Sequence, residues 1–214
     1  MRKFTTIILL WSVFSVFSTQ VSAQNADIDL LRSINRNTGT IGASKFISNT
    51  TTGVAIGVPI IMGAVALINK DDDLLKSALY VGVSIGVDGV LTLGLKDIVR
   101  RPRPYVTYPN DINPYEAETS LSFPSGHTSL AFTTATALSL KFPKWYVIAP
   151  SYLWACSVGY SRMNLGMHYP TDVLGGAIIG AGSAFITYKI NNWFWKKEGN
   201  KKLISQLELL PTKQ

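Results

Sequence analysis

One cysteine, Cys156, and two histidines, His127 and His168, are all that 214 residues contain of those types. A lone cysteine excludes an internal disulfide and any cysteine-rich metal site. Charge is scarce as well: Asp, Glu, Lys and Arg make up 15% of the chain, against 47% hydrophobic residues. That balance excludes an intrinsically disordered chain, which needs high charge and few apolar side chains. Acidic residues are the scarcer sign, 13 against 20 basic, which leaves a formal net charge of +7. No internal repeat, low-complexity tract or nucleic-acid-binding motif is present. The basic excess therefore points away from nucleic acid, toward an anionic membrane surface or an anionic substrate. With a mean hydropathy of +0.20, so little charge leans toward a membrane protein. The length suits one domain, two at most.

The N-terminus carries a targeting pattern. Arg2 and Lys3 precede an apolar run from Thr6 to Phe17, and Val21-Ser22-Ala23 stands before Gln24. A basic start, a short apolar stretch and small residues at the −3 and −1 positions predict a signal peptide over residues 1–23, cleaved after Ala23. The other reading is an uncleaved first transmembrane helix. Both send the chain to a bacterial cell envelope, where a lone thiol is chemically unproblematic. Residues 24–52 read as a short polar region outside the membrane, with Leu30, Leu31 and Ile34 at helical spacing. Apolar segments then recur at Gly53–Ile68, Ala78–Leu95, Ser129–Leu140, Tyr146–Tyr160 and Val173–Ile186. A spanning helix needs about 20 residues, and several of these are shorter, but the set predicts an all-α bundle. We expect five to six apolar, transmembrane helices over residues 53–195, then a basic polar tail over 196–214.

Charge placement tests that topology. If the segments alternate after an inside-to-outside start, Lys70, Lys76, Lys141, Lys144 and the tail lysines all face the cytoplasm, as the positive-inside rule requires. Arg100, Arg101, Arg103 and Arg162 fall on the outer side and break the rule together, which calls for a functional reason. Gly53/Gly57, Gly82/Gly86 and Gly176/Gly180 have the Gly-x-x-x-Gly spacing that lets membrane helices approach closely. Asp88, inside an apolar run, reads either as a satisfied interior group or as part of a polar pathway.

Three clusters carry chemistry. The first is Lys96-Asp-Ile-Val-Arg-Arg-Pro-Arg103-Pro104, a density of cations at a helix end that needs an anion nearby. Arginine offers a planar fork to two phosphate oxygens and lysine a point charge. The second is Phe123-Pro124-Ser125-Gly126-His127-Thr128, opening an apolar helix. Gly126 is expected to let the chain turn tightly, so that amides and the positive helix end form an anion nest. Ser125 adds a hydroxyl, and His127 can exchange a proton near neutral pH. The third runs from Ser161-Arg162 through His168 and Pro170 to Asp172. Asp172, four residues after His168, can accept a ring N–H and leave the other nitrogen as an outward lone pair. A metal held by His127, His168 and Asp172 is disfavoured, because the surrounding guanidinium and ammonium groups oppose a divalent cation. An anion is the better guest.

Lys96-x6-Arg103-Pro104, Pro124-Ser125-Gly126-His127 and Ser161-Arg162-x5-His168-x3-Asp172 resemble, in order, the three signature motifs of the type 2 phosphatidic acid phosphatase superfamily. That group includes membrane lipid phosphatases, bacterial acid phosphatases and vanadium haloperoxidases. The resemblance covers about residues 53–190. It implies a helical bundle with its site at one end and no cofactor. It implies His168 as the nucleophile, Asp172 as the group that orients it, and His127 as the acid for the leaving oxygen. Lys96, Arg103, Ser125, Gly126 and Arg162 would then hold the phosphate oxygens.

The function expected is metal-independent hydrolysis of a lipid phosphate or diphosphate through a phosphohistidine, with the bilayer as partner. Rival readings are a soluble periplasmic acid phosphatase, a vanadium-dependent haloperoxidase and a non-catalytic anion-binding membrane protein. Oligomeric state leaves no mark in the sequence. The stretch from Tyr105 to Ser122 joins the first two motifs. Tyr105, Tyr108 and Tyr115 suit a membrane interface, and Asp111, Glu116 and Glu118 are expected to repel surplus negative charge, which makes this stretch a candidate selectivity lid.

Overall fold

The computed structural model describes residues 26–35 and 38–208, with side chains as far as residue 194. The leader pattern over 1–23 and residues 209–214 of the tail lie outside the described residues. Helix α1 covers residues 26–35, and a 3-10 turn follows at Thr38–Thr40. Then come α2 (Ile41–Asn69), α3 (Asp72–Val99), the single turn α4 (Pro104–Thr107), α5 (Gly126–Lys141), α6 (Trp145–Asn164) and α7 (Pro170–Glu208). The fold is all-α, and α7 runs on through residues 196–208.

Helix α2 begins at Ile41, well before the apolar stretch at Gly53. Its polar residues Ser44, Ser48 and Thr51 are buried, so they face the bundle and not water. The same inversion recurs along α3, α5 and α7. Ile60, Ile61, Leu67, Ile68, Leu79, Val83, Val90, Leu93, Ile178, Ile186 and Ile190 are exposed, while Ser84, Thr92, Thr128, Ser129, Thr133 and Thr134 are buried. An apolar exterior over a small, polar interior suits a lipid surround, where hydrogen bonds between helices replace hydrophobic contrast. Among the described residues, three stretches, Thr38–Asn69, Asp72–Thr107 and Pro170–Phe194, are long and apolar enough to cross a membrane.

Helix α5 sits centrally and packs on α2, α3, α6 and α7. Its buried face is Thr128, Ser129, Ala131, Thr133, Thr134 and Ala135, all small, so neighbours come close. The closest neighbour is α7. A Cβ on Gly176 would stand 2.6 Å from the Ser125 carbonyl oxygen, and one on Gly180 would overlap the Ser129 carbonyl oxygen. Of the three Gly-x-x-x-Gly pairs only this one seats a helix; Gly53, Gly57 and Gly86 have nothing within 4 Å. Asp88 is a satisfied interior group: the Ser129 hydroxyl donates to it, and Thr92 donates to Ser129 at 3.2 Å.

Helix ends set the site. Asp71 caps α3 by accepting from the amides of Asp73 and Leu74 at 3.1 and 2.9 Å. At its other end α3 stops because Arg100 turns left-handed (φ 50°) and Pro102 follows. Pro170 supplies the preformed φ of the first turn of α7. Contacts from Arg162 to Ser48, Lys96 to Leu121 and Asp172 to Ser122 bring the α2 start, α3 end, α5 start, α6 end and α7 start to one end of the bundle.

Candidate active site

Each cluster sits where a helix begins or stops at that end. Lys96 is in the last turn of α3, and its Nζ donates to the Leu121 carbonyl at 2.5 Å. Arg103 lies just beyond α3 and is buried, with its donors spread widely. Nε donates to the Ser120 carbonyl at 2.7 Å, Nη1 to the Met167 carbonyl at 3.0 Å, and Nη2 to the Ser120 hydroxyl at 2.7 Å. Arg162, in the last turn of α6, donates from Nη1 to Ser48 at 2.8 Å. Its Nε is buried without a hydrogen-bond partner in the described structure.

His168 stands between α6 and α7. The chain reaches it through Gly166, whose φ of 68° and close approach to the Asn113 carbonyl (2.7 Å from a would-be Cβ) exclude a side chain. His168 Nε2 faces Arg103 Nη1 at 3.4 Å, and Nδ1 faces Asp172 Oδ2 at 3.6 Å, too long for a hydrogen bond. A guanidinium only donates, so Nε2 carries the lone pair and Nδ1 the hydrogen. Burial pushes the His168 imidazole down to about 4, with Asp172 opposing and Arg103 and Arg162 adding to the fall.

Asp172, in the first turn of α7, is fully buried and heavily bonded. Oδ1 accepts from Arg101 Nη1 at 2.7 Å; Oδ2 accepts from the Ser122 hydroxyl at 2.5 Å and the Tyr169 amide at 3.0 Å. Arg101 reaches on to Asp27 of α1 at 2.7 Å and stacks over the Tyr169 ring at 3.8 Å. Asp27 also accepts from the amide and hydroxyl of Thr171 at 2.9 and 2.6 Å.

Ser125 is the N-cap residue of α5 but makes no side-chain cap; its hydroxyl meets that of Thr128 at 2.9 Å. The Ser125 amide donates to the Asp172 carbonyl at 3.1 Å, which ties the second cluster to the third. Gly126 does not make the tight turn expected of it. Its φ is not positive, and a Cβ there would meet only the Thr92 methyl at 3.8 Å. His127 is half-buried in the first turn of α5.

The lid residues are held in place. Asp111 pairs with Arg32 at 2.6 Å, and Tyr115 lies under Lys45 at 3.8 Å. Glu118 does not stand as a free negative guard: it accepts from Arg103 Nη2 at 2.5 Å and Arg162 Nη2 at 2.9 Å. Burial opposes its ionisation, but the two guanidinium groups hold its carboxyl below the usual carboxylate range. Asp27, Arg101, Ser122 and Glu118 therefore belong to the site, although motif spacing did not assign them to it. Arg101 left a signal as one of the arginines that break the positive-inside rule, and Glu118 and Ser122 only as part of the lid stretch.

The bundle and its site define a class of helical protein that gathers cations beside a histidine–aspartate pair at one helix-rich end. Residues 77–196 match the PAP2 superfamily, and the chain belongs to that family. It is 32% identical over 127 residues to an undecaprenyl-diphosphatase of Sulfolobus acidocaldarius, covering 56% of this chain and 59% of that one. The chain thus spans a little over half the length of such curated relatives. Among solved structures it resembles Aquifex aeolicus LpxE, with a TM-score of 0.65 and 30% identity over 77% of this chain and 95% of the other. It also resembles a transmembrane PAP2-type phosphatidylglycerolphosphate phosphatase of Bacillus subtilis, with a TM-score of 0.67 and 26% identity over 86% and 95%.

Proposed function

We propose that this protein is a metal-independent phosphatase of the bacterial cell envelope that hydrolyses a phosphate or diphosphate carried on a lipid. The observation that carries it is the orientation of His168, its Nε2 lone pair turned to Arg103 and its Nδ1 to Asp172. Nε2 attacks phosphorus, the P–N bond forms as the bond to the leaving oxygen breaks, and His127 gives that oxygen its proton. Water then attacks the phosphohistidine, His127 takes its proton, and inorganic phosphate leaves. Asp172 steadies the positive charge that develops on His168. Lys96, Arg103 and Arg162, with Ser125 and the Gly126 amide, bind the equatorial oxygens, where the charge of the transition state gathers. A divalent cation has little call here, since Asp172 and Glu118 are already paired with guanidinium groups.

A lipid substrate is supported by three features: the exposed apolar faces of α2, α3 and α7, the site at the ends of these helices, and the relatives named for undecaprenyl diphosphate and phosphatidylglycerol phosphate. On this reading α5 and α6 complete a five-helix membrane bundle, six with an uncleaved leader, and the site opens on the outer side at headgroup depth. The test is to trap the phosphoenzyme and show that its label is base-stable and acid-labile, as a phosphohistidine P–N bond is, expecting it at residue 168 and none in His168→Ala. Turnover should survive a chelator and be blocked by vanadate. A long-chain lipid phosphate should be turned over faster than its short-chain soluble analogue; equal rates would remove the lipid assignment.

A further inference from the structure

Glu118 sits in the loop between α4 and α5, and each of its carboxylate oxygens takes one signature arginine. Oε2 accepts from Arg103 Nη2 and Oε1 from Arg162 Nη2. The Ser120 hydroxyl also donates to Oε2, at 3.3 Å. The side chain is 34% exposed, whereas those of Arg103 and Arg162 are 3% and 6% exposed. The carboxylate thus plugs a cationic seat from the solvent side. Its main chain is clamped: the Glu118 amide donates to the Tyr105 hydroxyl, and that hydroxyl donates to the Glu118 carbonyl, both at 2.8 Å.

Two oxygens do not saturate this seat. Arg162 offers Nε and Nη2 as the two prongs of one fork; Glu118 takes Nη2, and Nε stays buried without a partner. A phosphate group brings a third oxygen and, as a dianion, a second charge. It can satisfy donors that a carboxylate leaves unmet. Resting on the phosphatase reading, we propose that Glu118 is a tethered carboxylate that exchanges with the phosphoryl group. It yields the Arg103–Arg162 seat when substrate arrives and reclaims it as inorganic phosphate leaves. The exchange is non-covalent, so Glu118 takes no part in bond making.

The consequence is a threshold. A carboxylate fixed at the seat competes at an effective concentration on the order of millimolar, whatever the free anion concentration. Every incoming anion then loses affinity by the same factor, which raises KM and the inhibition constant of phosphate together. Weak monoanions are held off, and the reaction's own phosphate is released sooner. This makes Glu118 the residue that sets the affinity threshold of the anion seat, in place of the repulsive guard that its charge alone suggested.

The experiment measures binding of inorganic phosphate and of vanadate to the full-length, detergent-solubilised protein, alongside steady-state kinetics. Glu118→Gln keeps the shape and removes the charge; it should bind both anions at least about tenfold more tightly and lower KM by a similar factor. Tyr105→Phe keeps the carboxylate but loosens its clamp, and should shift both constants the same way by less. Because removing a counter-charge from two buried arginines can also destabilise the fold, thermal unfolding is followed with and without phosphate. Added phosphate should raise Tm more in Glu118→Gln than in the wild-type protein. Unchanged or weaker anion binding in Glu118→Gln, with phosphate still bound by the wild type, would overturn the exchange alone. Absence of phosphate and vanadate binding in both proteins would overturn the phosphatase reading, and the exchange with it.

Discussion

Arg101 holds one oxygen of Asp172 while His168 faces the other. Its Nη1 lies 2.7 Å from Oδ1, and His168 Nδ1 lies 3.6 Å from Oδ2. The same guanidinium reaches Asp27 at 2.7 Å, so it ties α1 to the first turn of α7 alongside the direct bonds from Thr171 to Asp27. Asp172 is fully buried, and an ionised carboxylate there needs a charged partner and full hydrogen bonding. Arg101 supplies the charge and, by fixing Oδ1, leaves Oδ2 aimed at the histidine.

Arg101 is therefore a positioning residue, which acts on the reaction through Asp172. Arg101→Ala should cost stability on the order of 3–5 kcal/mol, the range for stripping a buried ion of its partner. It should lower kcat far more than it raises KM, because Arg101 is spent on Asp172, Asp27 and Thr171. Arg101→Lys should restore part of kcat, since a point charge can serve one carboxylate but not both. Steady-state kinetics and thermal unfolding check this together. A rise in KM at constant kcat would make Arg101 a phosphate ligand instead.

The two histidines should separate by leaving group. His168→Ala should abolish turnover of every substrate while the protein still folds, because the covalent route has lost its nucleophile. His127→Ala should slow alkyl phosphates by about 10²–10⁴-fold and activated aryl phosphates much less, since a good leaving group needs little protonation. Rates on a paired alkyl and aryl substrate series measure the difference. Equal losses on both would remove His127 from the acid role.

The pH profile should carry the mark of a buried nucleophile. His168 must be neutral to attack, and burial pushes it from the ordinary histidine value near 6.5 to about 4. The protonated form that blocks attack therefore accumulates only at low pH. The acid limb of kcat/KM should fall below about pH 5, not near 6.5. Aspartate 172 opposes the downward push, so Asp172→Asn should move that limb to still lower pH while cutting the rate. A limb that stays near 6.5 in the wild-type protein would show that His168 is not the group whose protonation stops the reaction.

Most of the candidate site was legible in the sequence because its charged residues and histidines stand at fixed spacing from helix ends. Lys96, Arg103, Ser125, Arg162, His168 and Asp172 lie together at one end of the bundle. Asp27 was not legible, and Glu118 was read only as a negative guard in the lid. Neither lies in a motif, and their partners Thr171, Arg103 and Arg162 come from other parts of the chain. The start of α2 was missed for a related reason: Ser44, Ser48 and Thr51 read as polar and solvated, yet they face the interior of a bundle whose outside is apolar. Gly126 misled in the other direction. A glycine at the mouth of a helix, two residues after a proline, suggests a turn, but the positive φ belongs to Gly166, forty residues later.

Glycines on α7 offer the sharpest separation between a motif and its use. Gly180→Ala would drive a methyl into the Ser129 carbonyl, and Gly176→Ala would put one 2.6 Å from the Ser125 carbonyl. Both atoms are backbone of α5, so relief requires the helices to part. Each substitution should cost about 1–3 kcal/mol or more by overpacking, read as a lower Tm in detergent. Gly176→Ala should also lower activity beyond its effect on folding, because Ser125 donates its amide to the Asp172 carbonyl across this same contact. Gly53→Ala has open space around it and sits inside α2. It should leave activity unchanged and raise stability by about 0.5–1 kcal/mol, the helix preference of alanine over glycine. If Gly53→Ala proved as damaging as Gly180→Ala, α2 would be packed against something at that face, and the open space around Gly53 would not be there in the folded protein.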